Sequence, residues 1–210
     1  MYDEMYEYVK RFLADNDHAT KTSPFPFRTR SDHIWRVFHW AKRLITDNSF
    51  DVAIDKESVL IAALFHDVGY SLPLEDAHHA ENSVVIFNQY ASEKNFDPKR
   101  KEFISYLIGN HSNKYLLDAD DTPLELIILM EADLLDETGA LSIVWDCMME
   151  GGQEEQSFLK TYKHIKGYSY KALEKNPMKT EKAKEIWINK QNFVREFLKH
   201  LEVDLVIHES

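Results

Sequence analysis

The chain has 210 residues, 44% of them hydrophobic and 12% aromatic, which suits one domain with a sizeable core and leaves a second cramped. A formal charge of −11 gives no basic footprint for DNA or RNA as an extended ligand, and a small anionic substrate would need a local cation to overcome that field. Cys147 is the single cysteine, so no intrachain disulfide forms, and no apolar run approaches the ~20 residues of a membrane span.

Six Gly and six Pro leave little turn punctuation for an all-β fold, while Leu, Ala, Glu and Lys dominate the long periodic segments. The predicted class is all-α, a single helical bundle. The opening "MYDEMYEYVKRF" is acidic and amphipathic, which predicts a helix over 2–15, not a signal peptide, and with it a cytoplasmic protein. "TKTSPFPFRTRSD" is extended by its prolines. A second helix starts at Ser31 or Asp32 as N-cap, with Ile34, Val37, Phe38, Ala41, Leu44 and Ile45 at helical spacing and His33 at the N-terminal end of that stripe. Residues 56–66, ending "VLIAALFHD", read as a helix buried all round and stopped by Gly69 and Pro73. Further helices are predicted at 79–94, 98–109, 123–137, 140–150, 154–174 and 179–203, with Thr122 as cap, Pro123 at the first position and Gly139 as the stop of the 123–137 helix. The core motifs fall in 31–140, and the helices of 154–203 support them from outside, with the site where the second to fifth helices converge.

Polar residues on the buried faces carry the functional signal. His66 and Asp67 end the most apolar helix. His111 continues the face of Ile104, Leu107 and Ile108, and Asp133 lies among Leu129, Met130, Ala132, Leu134 and Leu135, where an unpaired carboxylate would cost several kcal/mol. Each alone is explained by a hydrogen-bonded core histidine or a buried ion pair. The order His33, His66-Asp67, His111, Asp133 on successive inward faces has one simpler cause, a divalent metal, since neutral imidazole and carboxylate are suitable ligands. His18, His39, His78, His164, His200 and His208 fall on polar or terminal stretches and read as surface.

These motifs, "HIWRV", "ALFHDVGY", "GNHS" and "EADLLDETGA", resemble the HD-domain superfamily of metal-dependent phosphohydrolases. "NPMKTEKAKEIW" extends the likeness to a subgroup of small bacterial HD proteins, some thought to be nucleoside-triphosphate pyrophosphohydrolases. The resemblance implies an all-α HD fold in which His33, His66, Asp67 and Asp133 bind metal, with His111 beside the site. In some relatives, such as the HD-GYP branch, a histidine and small-residue pair matching His79 and Ser83 serves a second ion. That gives a six-ligand set of His33, His66, Asp67, His79, His111 and Asp133 for one or two ions of Mn, Mg, Fe, Co, Ni or Zn. The chain departs from the subgroup at Glu131-Ala132-Asp133, where Asp-Ala-Asp is usual, and has Tyr70 where the nucleotidase branch carries a glutamate.

The expected chemistry is hydrolysis of a small phosphorylated metabolite, most of all a nucleotide, by metal-activated water. His111 would orient the nucleophile or protonate the leaving oxygen, and Arg36, one turn from His33, would contact phosphate, with Arg28, Arg30 and Lys114 as further cations and Glu75 or Asp76 as a base. Two alternatives use the same residues: an HD-type di-iron oxygenase resembling myo-inositol oxygenase, and a non-catalytic metal-containing binding protein.

Overall fold

The structure is a computed structural model that describes residues 1–16, 29–47, 50, 52–72 and 78–207. Among these residues there is helix and turn and no strand, the all-α class that the composition predicts. The α-helices are α1 (Tyr2–Asp15), α2 (Arg30–Asp47), α3 (Lys56–Phe65), α4 (His79–Glu93), α5 (Pro98–Asn110), α6 (Leu124–Leu135), α7 (Ala140–Gly151), α8 (Phe158–His164), α9 (Lys171–Leu173) and α10 (Glu181–Asp204). Short 3₁₀ turns occupy Val68–Ser71 and Lys114–Asp118, and a π-helical turn spans Ile165–Tyr170. The chain divides into two compact units, Met1–Asp133 and Leu134–Ser210.

In the N-terminal unit α3 is the central element. Asp55 caps it by accepting from the Ser58 amide at 3.0 Å and the Ser58 hydroxyl at 2.6 Å, and every residue from Ser58 to Phe65 is buried. With no polar face to offer water, α3 is packed by α1, α2, α4 and α5. Phe65 meets Phe87 edge-on at 5.3 Å, and burial of each such side chain stabilises the fold by roughly 1.5–3 kcal/mol. The face that α2 buries is the predicted stripe, Ile34 through Ile45.

Element ends differ from the sequence expectation. The cap of α2 is Thr29, whose hydroxyl accepts from the Asp32 amide at 3.2 Å, so the cap lies two or three residues before the expected Ser31 or Asp32 and the helix begins at Arg30. The Thr122 hydroxyl donates to the Leu116 carbonyl at 2.7 Å instead of capping, and the Pro123 carbonyl receives the first bonds of α6 from Leu126 and Ile127. The expected 56–66 helix ends at Phe65, with Gly69 in the 3₁₀ turn that follows; Pro73 is outside the described residues, as are Arg28, Glu75, Asp76, His18, His208 and most of the proline-containing segment before α2.

In the C-terminal unit, the expected 154–174 helix is interrupted. It starts at Phe158 behind a Ser157 cap and passes through the π turn before α9. Glu137 at φ 52° and Gly139 at φ 70° turn the backbone before α7. α10 buries Ala183, Ile186, Trp187, Val194 and Leu198, and the side chains of Trp187 and Gln191 each donate to the Leu173 carbonyl at 3.1 Å, satisfying an end group of α9. No helix among the described residues is long and apolar enough to cross a membrane.

Candidate metal centre

Two helix ends in the N-terminal unit use the same device. His66 directly follows α3 and His111 directly follows α5; each Nδ1 lies against the carbonyl three residues back, Ala63 at 2.8 Å and Ile108 at 2.7 Å. A carbonyl can only accept, so Nδ1 carries the proton and Nε2 turns a lone pair inward. Both rings are buried, at 0% and 2% exposure.

These lone pairs meet others. His33 Nε2, from the first turn of α2, is 3.3 Å from His66 Nε2 and 3.3 Å from Asp67 Oδ2. Asp133 Oδ1, from α6, lies 3.4 Å from His33 Nε2 and 3.9 Å from His66 Nε2. On the other side of Asp67, Oδ1 is 3.4 Å from His79 Nε2 and 3.2 Å from His111 Nε2, which are 3.3 Å from one another. Within the N-terminal unit, two groups of described residues that could hold a metal result, His33-His66-Asp67 and Asp67-His79-His111, with Asp67 in both.

The donor set fits a metal. Tetrahedral ligands with bonds of about 2.0–2.2 Å lie about 3.4 Å apart, close to the observed edges, and clustered inward-facing imidazole nitrogens otherwise oppose lone pair to lone pair. Two of the imidazoles are held neutral: burial pushes His66 and His79 down to about 4, outweighing the pull of Asp67. Burial alone would raise Asp67 and Asp133, yet both lie well below the ordinary carboxylate range. The neighbouring His66, His111 and His33 rings lower Asp67, and His33 and Lys114 lower Asp133.

All six residues of the expected ligand set are thus brought together. α2 to α6 each supply at least one of them directly or from the adjoining turn, where the sequence expectation had the second to fifth helices. Asp133 is not unpaired: its side chain is 21% exposed and accepts from Lys114 Nζ at 2.6 Å. Arg30 Nη1 donates to Asp67 Oδ2 at 2.7 Å while its guanidinium lies 4.0 Å over the Tyr70 ring, which stacks on His79 at 4.1 Å. Arg36 is half-buried one turn beyond His33, and its charge acts on the Tyr6 phenol. Ser83 serves packing: its hydroxyl accepts from the Gly69 amide at 2.8 Å.

Sequence reasoning missed Ser112, whose hydroxyl lies 3.0 Å from His79 Nε2 and 3.1 Å from His111 Nε2. Its only signal is adjacency to His111. Glu131 is fully buried as well. His39, His78 and His200 are exposed as expected, while His164 is only partly exposed. In the C-terminal unit its Nε2 lies 3.4 Å from buried Asp146 and its Nδ1 3.2 Å from Glu150, while Ser169 donates to Asp146 at 2.5 Å. Burial raises the Asp146 carboxyl, and a cavity of about 650 Å³ lined by Trp145 and Tyr168 opens beside the cluster.

Comparison with known proteins gives a profile match to the HD domain over residues 30–138, just over half of the chain. Among solved structures, an HD-superfamily hydrolase from Bacillus thuringiensis is 17% identical at a TM-score of 0.71, covering 99% of this chain and 97% of that one. Bacillus subtilis YpgQ in complex with ADP is 20% identical at a TM-score of 0.64, covering 97% and 94%. A predicted HD superfamily hydrolase from an uncultured Thermotogales bacterium is 22% identical at 0.62, covering 93% and 92%. At these identities the likeness shows the fold. The search of curated proteins finds no match.

Proposed function

The chain belongs to the HD domain family, and we propose that it is a metal-dependent phosphohydrolase acting on a small phosphorylated metabolite, with a nucleotide as the favoured substrate. The observation that carries this reading is the pair of histidines, His66 and His111, whose Nδ1 protons are spent on backbone carbonyls so that both Nε2 lone pairs face the two oxygens of Asp67. A structure of the similarly folded YpgQ holds ADP, which supports the choice of a nucleotide.

His33, His66, Asp67 and Asp133 hold the first ion in this reading, and Asp67, His79 and His111 hold a second. A bound divalent ion supplies a water of lowered pKa and offsets charge on the phosphoryl group. The chain's own residues do the rest. Asp67 faces both groups and fixes their spacing, while the Ser112 hydroxyl and His111 are within reach to orient water or pass a proton to the leaving oxygen. Arg36 is the proposed phosphate contact on α2.

The test is a hydrolysis screen of the chain loaded with Mn²⁺, Mg²⁺, Co²⁺, Ni²⁺, Zn²⁺ or Fe²⁺ against nucleotides and sugar phosphates, reading phosphate and pyrophosphate separately. Metal-dependent release that disappears in Asp67→Ala is expected; no release with any metal overturns the proposal. The six-ligand set also favours a second reading, a di-iron oxygenase, which oxygen uptake by the iron-loaded chain without phosphate release would establish.

A further inference from the structure

Each carboxylate of the centre is already gripped by a cation of the chain. Asp67 Oδ2 accepts from Arg30 at 2.7 Å, and Asp133 Oδ2 accepts from Lys114 at 2.6 Å. Two negative charges therefore face two positive ones. Both carboxylates are also within 3.4 Å of His33 Nε2, so the oxygens that pair with these cations belong to groups that a metal would use. The cations stand at the rim, with side chains 21% and 32% exposed, while His66 behind them is fully buried.

The two cations are anchored differently. Arg30 lies on a stack, guanidinium over Tyr70 and Tyr70 over His79, so its planar head keeps the aromatic face it already rests on if it leaves Asp67. Lys114 opens the 3₁₀ turn Lys114–Asp118, three residues after His111, and its flexible stem reaches Asp133 from the rim.

From this arrangement we infer that Arg30 and Lys114 are resident counter-cations that a divalent ion displaces from Asp67 and Asp133, and that the displaced pair then binds a phosphate-bearing ligand, so metal and anion bind with positive coupling. The inference rests on the metal-centre reading above. A divalent ion entering a carboxylate pair that two cations already balance leaves two excess positive charges, and an anion offsets them. In the reverse direction, an anion that draws Arg30 and Lys114 outward frees carboxylate oxygen for the metal. Linkage requires the two effects to be equal.

The alternative role for the same contacts is orientation, in which Arg30 and Lys114 hold the carboxylates for the metal and their loss weakens it. The two roles predict opposite signs. Mn²⁺ is titrated into wild type, Arg30→Gln, Lys114→Gln and the double variant, with and without inorganic phosphate, and free Mn²⁺ is read by its electron paramagnetic resonance signal. Phosphate is expected to tighten Mn²⁺ uptake by wild type about tenfold, within the usual range of coupling between sites. Both single variants should bind Mn²⁺ about tenfold tighter than wild type without phosphate, with the coupling reduced in each and absent in the double variant. Arg30→Lys, which keeps the charge, should behave as wild type, and circular dichroism verifies that each variant is folded.

Variants that bind Mn²⁺ as weakly as wild type, or more weakly, overturn the inference and leave an orienting role. Wild type that takes up no Mn²⁺ overturns it together with the metal-centre reading. Coupled uptake in a protein that hydrolyses no phosphate compound sustains the inference and overturns the proposed hydrolysis alone.

Discussion

At the scale of single residues, Asp67 decides the most. Bare carboxylates at Asp67 and Asp133 would repel one another, but Arg30, Lys114 and the surrounding imidazoles hold both ionised. Asp67→Ala should therefore abolish metal uptake, measured by elemental analysis, and also destabilise the metal-stripped protein by about 2 kcal/mol, since it removes charged hydrogen bonds in a buried setting. An unchanged metal content would refute the first part and an unchanged urea midpoint the second. Acidity supplies another expectation. His66 and His79, at about 4 in the fold and near 6.5 unfolded, are neutral in the native state where the unfolded chain is already binding protons. Stability of the metal-stripped protein thus rises with pH between about 4 and 6.5 and is lost as pH falls through that window, by at most ~1.4 kcal/mol per pH unit per histidine. Asp67 and Asp133, depressed in the fold, add a loss of the same sign below the ordinary 3.8 of a carboxylate. Urea midpoints that stay flat between pH 4 and 6.5 would contradict the burial of these rings. That His33, His66, Asp67, His111 and Asp133 cluster was legible because a buried imidazole or carboxylate stands out against an apolar stripe. Ser112 was not, because a serine after a helix end has many ordinary uses, and the pairing of Lys114 with Asp133 was not, because it joins two elements that no local pattern links.

At the scale of elements, Gly69 carries a constraint that its place in a turn does not announce. A Cβ on it would lie 2.1 Å from the His79 carbonyl and 2.4 Å from the Ser83 amide, so the 3₁₀ turn after the His66-Asp67 pair touches the first turn of α4 backbone to backbone. Gly69→Ala must part these elements and move His79 with them. A loss of about 3 kcal/mol is expected, the upper range for overpacking, with weaker binding at the Asp67-His79-His111 group than at the other. A thermal midpoint within a degree or so of wild type would show that the two turns part without strain. Helix identities were readable from period, since α2 and α3 owe their order to a stripe and to an uninterrupted apolar run. Helix ends were less so. Thr29, Ser31 and Asp32 are all good caps, and which one acts is settled by how the chain enters α2. The π turn at Ile165–Tyr170 inserts an extra residue into a helical pattern, which shifts every later side chain around the axis, and Ser169 within it meets Asp146.

At the scale of the whole molecule, the charge of −11 sets a condition on any anionic substrate. The C-terminal residues add to it without supplying phosphate contacts that the sequence marks, so attraction must come from the short-range group of Arg30, Lys114, Arg36 and bound metal ions. Long-range and short-range fields respond differently to salt. The Debye length falls to about 10 Å at 0.1 M ionic strength, which screens the repulsion of distant carboxylates while leaving contacts of about 3 Å nearly intact. For the metal-loaded protein, kcat/KM toward a nucleotide should therefore rise two- to threefold, as an order of magnitude, when ionic strength increases from about 0.01 to 0.1 M, and level off above that. A substrate of lower charge should rise less, and the ratio between two substrates of different charge isolates the electrostatic part from any effect of salt on stability. A steady fall over the same range would mean that the local cations and metal dominate the approach as well as the contact, and that the net charge of the chain is irrelevant to its substrate.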